Sequence, residues 1–126
     1  MVLIDSSVWI EFFRGTPKAH FLKQLIELNS ICVNNLILSE LLPSILLKKE
    51  FALKGLLETV TNIPLKIDWD EIIAMQTLNL KKGINKVGIA DLIIAQNVKQ
   101  EKITLCSFDR HFDFMAKVHH FKLYKI

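Results

Sequence analysis

Met1 to Ile4 form an unbroken apolar run that stops at Asp5-Ser6-Ser7. A run this short, closed by polar residues, predicts a buried strand. Residues 7–14 then take helical spacing and end at Gly15. Thr16-Pro17 marks a new helix start, because Thr caps and Pro fits a first turn. Apolar residues at 21, 22, 25, 26 and 28 fill one face of a helix within 18–29. Ile31 to Val33 predicts a second strand. Asn34-Asn35 offers caps for a helix carrying Leu36, Ile37, Leu38, Leu41 and Leu42, with Pro43 as a kink point. Helical spacing continues to about Val60, across Gly55. Ile63 to Ile67 predicts a third strand, at a sheet edge because Pro64 cannot donate to a ladder. Asp68-x-x-Glu71 resembles a capping box for a helix to Lys82, closed by Gly83. Gly88 precedes a helix over 89–101, Ile103 to Cys106 predicts a fourth strand, 111–117 a short helix, and Phe121 to Tyr124 a last strand.

Strands alternate with helices and no hairpin signal interrupts them. That order predicts an α/β fold with a parallel sheet and helices on both faces. No repeat, low-complexity tract or linker divides the chain, and 126 residues suit one domain spanning 1–126. Hydrophobic residues make up 51% and charged residues 23%, which excludes a disordered segment. A net charge of +3 is compatible with a polyanionic partner without requiring one. Cys32 and Cys106 lie in apolar runs, so buried free thiols in a reducing compartment are expected. No secretory leader is recognisable, and no apolar stretch reaches the length of a membrane span. The expectation is a soluble, cytoplasmic protein.

In open α/β sheets, ligand sites form beyond the carboxyl ends of the strands. Asp5 follows the first strand and Asp109 lies three residues past Cys106, so both should reach one rim. Glu40 falls on the helix after the second strand, and Asp91 in the first turn of the helix from Ile89. Each acid has a plainer role open to it. Asp5 and Asp109 can cap the helices that follow them, and Asp91 can oppose a helix dipole. Glu40 stands between Leu38 and Leu41, where an acid is costly unless paired or bound to a cation. Two carboxylates about 5 Å apart repel by roughly 3 kcal/mol at an effective dielectric near 20. A divalent cation reverses that cost, and all-oxygen ligation suits Mg²⁺ or Mn²⁺. The histidines at 20, 111, 119 and 120 do not enter this grouping, and surface positions are expected for most of them.

The chain resembles the PIN domains, and within them the VapC-type toxin ribonucleases, over essentially its whole length. VLIDSSVWIEFFRG resembles the first family motif, with Asp5 as its acid and Ser7 as its small hydroxyl residue. SELL places Glu40 at the second acidic position. VGIADLIIAQ matches the third, with Asp91 as its acid. LCSFDRHF looks like the fourth, with Asp109 as its acid and Ser107 where Thr or Ser is usual. The resemblance implies a three-layer α/β/α sandwich with a five-stranded parallel sheet. It implies Mg²⁺- or Mn²⁺-dependent endonucleolytic cleavage of RNA, commonly tRNA or ribosomal RNA in VapC-type toxins, with Asp5, Glu40, Asp91 and Asp109 as catalytic and metal-binding acids. It also implies a VapB-type antitoxin as inhibitor and apolar surfaces used for homodimerisation. Arg14 and Lys86, near the expected rim, are candidate contacts to the RNA backbone.

Other Asp-bearing α/β folds fit less well. A haloacid-dehalogenase-type phosphatase needs a second Asp two residues after the first, where this chain has Ser7. The remaining alternative is a PIN-like binding module with weak or no nuclease activity. A metal-dependent nuclease assay with an Asp5→Asn control separates the two.

Overall fold

The computed structural model describes all 126 residues. Five strands form one sheet: β1 (Val2–Ile4), β2 (Ile31–Val33), β3 (Thr61–Asn62), β4 (Thr104–Cys106) and β5 (Lys122–Leu123). Their order is β3-β2-β1-β4-β5 and every pairing is parallel. Parallel strands need crossover connections, and helices supply all of them. On one side are α1 (Ser6–Phe13), a 3-10 turn at Pro17–Ala19, α2 (Phe21–Glu27), α3 (Asn35–Leu47) and α4 (Phe51–Thr59). α5 (Trp69–Lys81), α6 (Ile89–Glu101) and α7 (His111–His119) pack against one another as the second helical layer. The three-layer α/β/α sandwich with a five-stranded parallel sheet is therefore what the chain adopts.

The topology fixes where a crevice opens. From β1 the chain winds outward to β2 and β3, then returns past β1 to β4 and β5. The winding reverses between β1 and β4, and the carboxyl ends of those two strands mark the switch point. Leu3, Ile4, Leu105 and Cys106 are fully buried there. Burial pushes the Cys32 thiol up to about 11 and the Cys106 thiol up to about 12, so both are inert core residues.

The predicted third strand at 63–67 is not formed. The strand is Thr61–Asn62, the Ile63 N–H still donates to the Val33 carbonyl at 2.8 Å, and residues 63–68 carry no regular secondary structure. Pro64 has no N–H to give a ladder, and side chains from α6 take the freed carbonyls instead. Asn97 Nδ2 donates to the Pro64 carbonyl at 2.9 Å, and Gln100 Nε2 to that of Lys66 at 2.9 Å. Gln96 Nε2 donates to the Asp68 carbonyl at 3.0 Å. Asp68 caps α5 as expected, accepting from the Glu71 N–H. The return half of that box runs through Gln96, whose Oε1 accepts the Asp68 N–H. The final strand is likewise shorter than the expected 121–124. α3 continues through Pro43 to Leu47.

His119 is the histidine that does not lie at the surface: it is buried between α5 and α7. Its Nε2 donates to Asn79 Oδ1 at 2.6 Å, since an amide oxygen can only accept. Burial, followed by the charges of Lys99 and His120, holds its pKa below 6.5. The unfolded chain then binds more protons than the folded one between the depressed value and 6.5, so stability rises with pH across that window. Chemical denaturation should show stability falling as pH drops below 6.5, and His119→Gln should flatten that slope. An unchanged slope would place the pH dependence elsewhere.

Candidate metal centre at the switch point

β1 delivers Asp5 to the crevice. Its N–H donates to the Cys106 carbonyl at 2.9 Å, which extends the β1–β4 pairing by one residue. Asp5 occupies the cap position of α1 but accepts no backbone N–H there. Its Oδ2 accepts from Ser7 Oγ and from Ser107 Oγ, both at 2.8 Å. The capping role left open for Asp5 is thereby excluded. Asp5 is a buried carboxylate held by two hydroxyls that come from opposite ends of the chain.

Ser107 connects Asp5 to the next acid. Its Oγ also accepts the Asp109 N–H at 3.0 Å, while Ser7 Oγ accepts the Phe108 N–H at 3.1 Å. The loop after β4 is pinned across the end of β1 by these bonds. Asp109 does take a capping role, since its Oδ1 accepts the His111 N–H at the start of α7 at 2.9 Å. Asp91 enters from the first turn of α6, half-buried. A helix buried on every side from Leu92 to Val98 fixes its position.

Asp91, Asp109 and His111 each present a ligand atom within 4.8 Å of the other two. His111 Nδ1 lies 3.1 Å from Asp109 Oδ1 and 3.8 Å from Asp91 Oδ2. Asp5 and Glu40 stand close enough to act on this group through their charge. Burial pushes the Asp91 carboxyl up, and the neighbouring Asp109 and Asp5 push it further. The Glu40 carboxyl is also raised, first by loss of water and then by Asp5 and Asp91, with a hydrogen bond to Ser6 opposing. Glu40 itself is exposed. Its surroundings are therefore a groove rim, not the wholly apolar setting that Leu38 and Leu41 suggested.

Asp91 and Asp109 thus lie together, Asp5 and Glu40 couple to Asp91 through charge, and Ser7 and Ser107 hold the Asp5 carboxylate. Arg14 and Lys86 are not part of the cluster. Arg14 is exposed, pairs with Glu11 at 3.4 Å, and borders a groove that also holds Glu40. Lys86 is exposed in the loop before α6 with a left-handed backbone, φ 65°. His111 is the residue of this group that sequence reasoning misses. The only signal for it was its place two residues beyond Asp109 at a predicted helix start.

The donor set fits a divalent cation. Unpaired acids raise one another's proton affinity, which is the strain a cation relieves. His111 Nδ1 is buried and lacks a hydrogen-bond partner, although Asp109 is within range, because the two are not aligned.

A parallel α/β sandwich with carboxylates at its switch point defines the class. The sequence pattern of the PIN domain matches residues 2–118, and the chain belongs to that family. Among solved structures, FitAcB from Neisseria gonorrhoeae is similar at 22% identity and a TM-score of 0.74, covering 99% of this chain and 97% of that one. VapBC2 from Rickettsia felis, bound to a DNA fragment from its promoter, has 19% identity and a TM-score of 0.76, covering 98% of each chain. PAE2754 from Pyrobaculum aerophilum has 14% identity and a TM-score of 0.58, covering 97% of this chain and 89% of that one. These likenesses establish the fold. No curated protein sequence matches this one. No helix is long and apolar enough to cross a membrane.

The raised Asp91 carboxyl has a measurable cost. The folded, metal-free protein binds more protons than the unfolded chain between pH 3.8 and the raised value, so its stability falls as pH rises through that window. Above the window the full penalty persists. In the presence of a chelator at pH 7, Asp91→Asn should therefore melt at or above the wild-type temperature, with the advantage shrinking toward pH 3.8. A destabilised Asp91→Asn protein at pH 7 would mean that Asp91 is a structural ion-pair partner.

Proposed function

We propose that this chain is a Mg²⁺- or Mn²⁺-dependent endoribonuclease, the toxin component of a type II toxin–antitoxin pair, acting on tRNA or ribosomal RNA in the cytoplasm. The observation that carries the reading is the grouping of Asp91 with Asp109, with Asp5 and Glu40 coupled to Asp91 by charge and no lysine or arginine bridging these acids. Membership of the PIN family and the likeness in fold to VapBC2 support it.

In this reading the carboxylates of Asp5, Asp91 and Asp109 hold the cation, with Glu40 at the outer edge. When bound, the cation neutralises phosphoryl oxygens and makes water a better nucleophile at neutral pH. Ser7 and Ser107 keep Asp5 in one rotamer through their 2.8 Å hydrogen bonds, so the site is organised before substrate arrives. Glu40, exposed and with raised proton affinity, is suited to take a proton from the attacking water. Arg14 and Lys86 are proposed to contact the RNA backbone on either side.

A groove of about 270 Å³ runs from Glu40 between α1, α3 and α4, lined by Ile10, Phe13, Leu41, Ile45 and Leu53. Its five apolar side chains, interleaved with Arg14, Glu40, Ser44, Lys48 and Glu50, suit a VapB-type antitoxin that lays a mainly apolar segment along the groove and directs a basic side chain past Glu40 toward the carboxylates. A second copy of the chain is the proposed cover for other exposed apolar side chains, among them Leu46 and Leu47 on α3.

The test is cleavage of a tRNA pool with Mn²⁺, Mg²⁺ or EDTA present. Cleavage should need the cation, and Asp5→Asn should reduce it by on the order of a hundredfold or more. Cation-independent cleavage, or equal activity in Asp5→Asn, would contradict the assignment. A folded protein that binds cation yet cleaves nothing would favour the binding-module alternative.

A further inference from the structure

We propose that His111 is a metal ligand, making the centre a mixed nitrogen–oxygen site that favours Mn²⁺ over Mg²⁺. The inference rests on the metal-dependent reading of the crevice and adds a residue that the four acidic positions do not include.

Geometry carries the case. Ligands on adjacent positions of an octahedral cation lie about 3.0 Å apart when metal–ligand bonds are about 2.1 Å, and opposite ligands about 4.2 Å apart. The 3.1 Å and 3.8 Å separations of His111 Nδ1 from Asp109 and Asp91 fall in that range. Two atoms that share one cation at adjacent positions are close without pointing at each other. His111 Nδ1 and Asp109 Oδ1 have that relation, near but not hydrogen-bonded. Nδ1 is buried with no protein partner, whereas buried polar atoms are ordinarily satisfied. A cation at the common point of the three side chains would give it one.

Local structure holds the ring in place. The His111 N–H is anchored on Asp109 Oδ1, so ligand and neighbour move together as the first turn of α7. Phe112, fully buried next in sequence, fixes that turn against the core. Imidazole nitrogen binds later first-row cations better than it binds Mg²⁺, which prefers oxygen. His111 should therefore set which cation occupies the centre, while the acids decide that a cation binds at all.

The test is pulsed electron paramagnetic resonance of Mn²⁺ added to the purified protein, with affinities for Mn²⁺ and Mg²⁺ measured separately by calorimetry. Wild type should show nitrogen-14 modulation from a directly bound imidazole. Labelling histidine with nitrogen-15 should change that pattern without any substitution, which guards against a misfolded variant. His111→Gln should lose the modulation and weaken Mn²⁺ about tenfold, with a much smaller effect on Mg²⁺. Mn²⁺ that binds wild type, is lost in Asp91→Asn, and shows no nitrogen modulation would overturn the role of His111 while leaving the metal-dependent reading intact. No Mn²⁺ binding in wild type would overturn both.

Discussion

The acidic crevice depends on one parallel pairing, that of β1 with β4. Ile4 stands opposite Cys106, and the next N–H along, from Asp5, still reaches the Cys106 carbonyl. This register brings residues a hundred positions apart within hydrogen-bond distance, so Ser107 can donate to Asp5 while accepting from the Asp109 N–H. A slip by one residue would turn Asp5 to the other face of the sheet. The fully buried side chains of Leu3, Ile4, Leu105 and Cys106 resist such a slip, because it would exchange the residues that each face buries.

The second support is α6. Seven consecutive buried residues make it an interior helix, and its polar members are all engaged. Asn97 accepts from Asn34 Nδ2 and donates to Pro64, while Gln96 ties Asp68 and Glu71. These bonds join α6 to the start of α3 and to the start of α5. Asp91 in the first turn of α6 and Glu40 along α3 thus have their spacing set by buried hydrogen bonds instead of by any contact between the acids, which repel each other. The core holds charges together that would otherwise separate, and the raised proton affinities of Asp91 and Glu40 are the electrostatic trace of that constraint.

Much of this was legible in the sequence, for identifiable reasons. The bounds of the helix from Ile89 to Glu101 follow from Gly88 and an apolar run, and Asp5 announces itself as the polar end of the first strand. The acids could be named because carboxylates are conspicuous among apolar neighbours. Pro64 signals the sheet edge, yet the apolar pattern of 63–67 predicts a strand through it. Its replacement by side-chain hydrogen bonds from α6 is a tertiary event with no local signal. The apolar neighbours of Glu40 do not reveal its exposure, because a linear reading cannot tell a helix face that lines a groove from one that is covered. Periodicity likewise assigns neither His111 to the site nor His119 to the core. The burial of one by Asn79 and the approach of the other to Asp91 arise from helix packing that short-range periodicity does not encode.

The central claim is that the crevice between β1 and β4 is a cation site built by this chain's own side chains. The most direct measurement is an anomalous difference map from crystals of the protein grown with Mn²⁺. The account predicts one dominant peak among the carboxylates of Asp5, Asp91 and Asp109, within bonding distance of at least two of them. Full occupancy of Mn²⁺ at some other place on the molecule, or a crevice whose carboxylates are instead closed by a lysine or arginine, would contradict it.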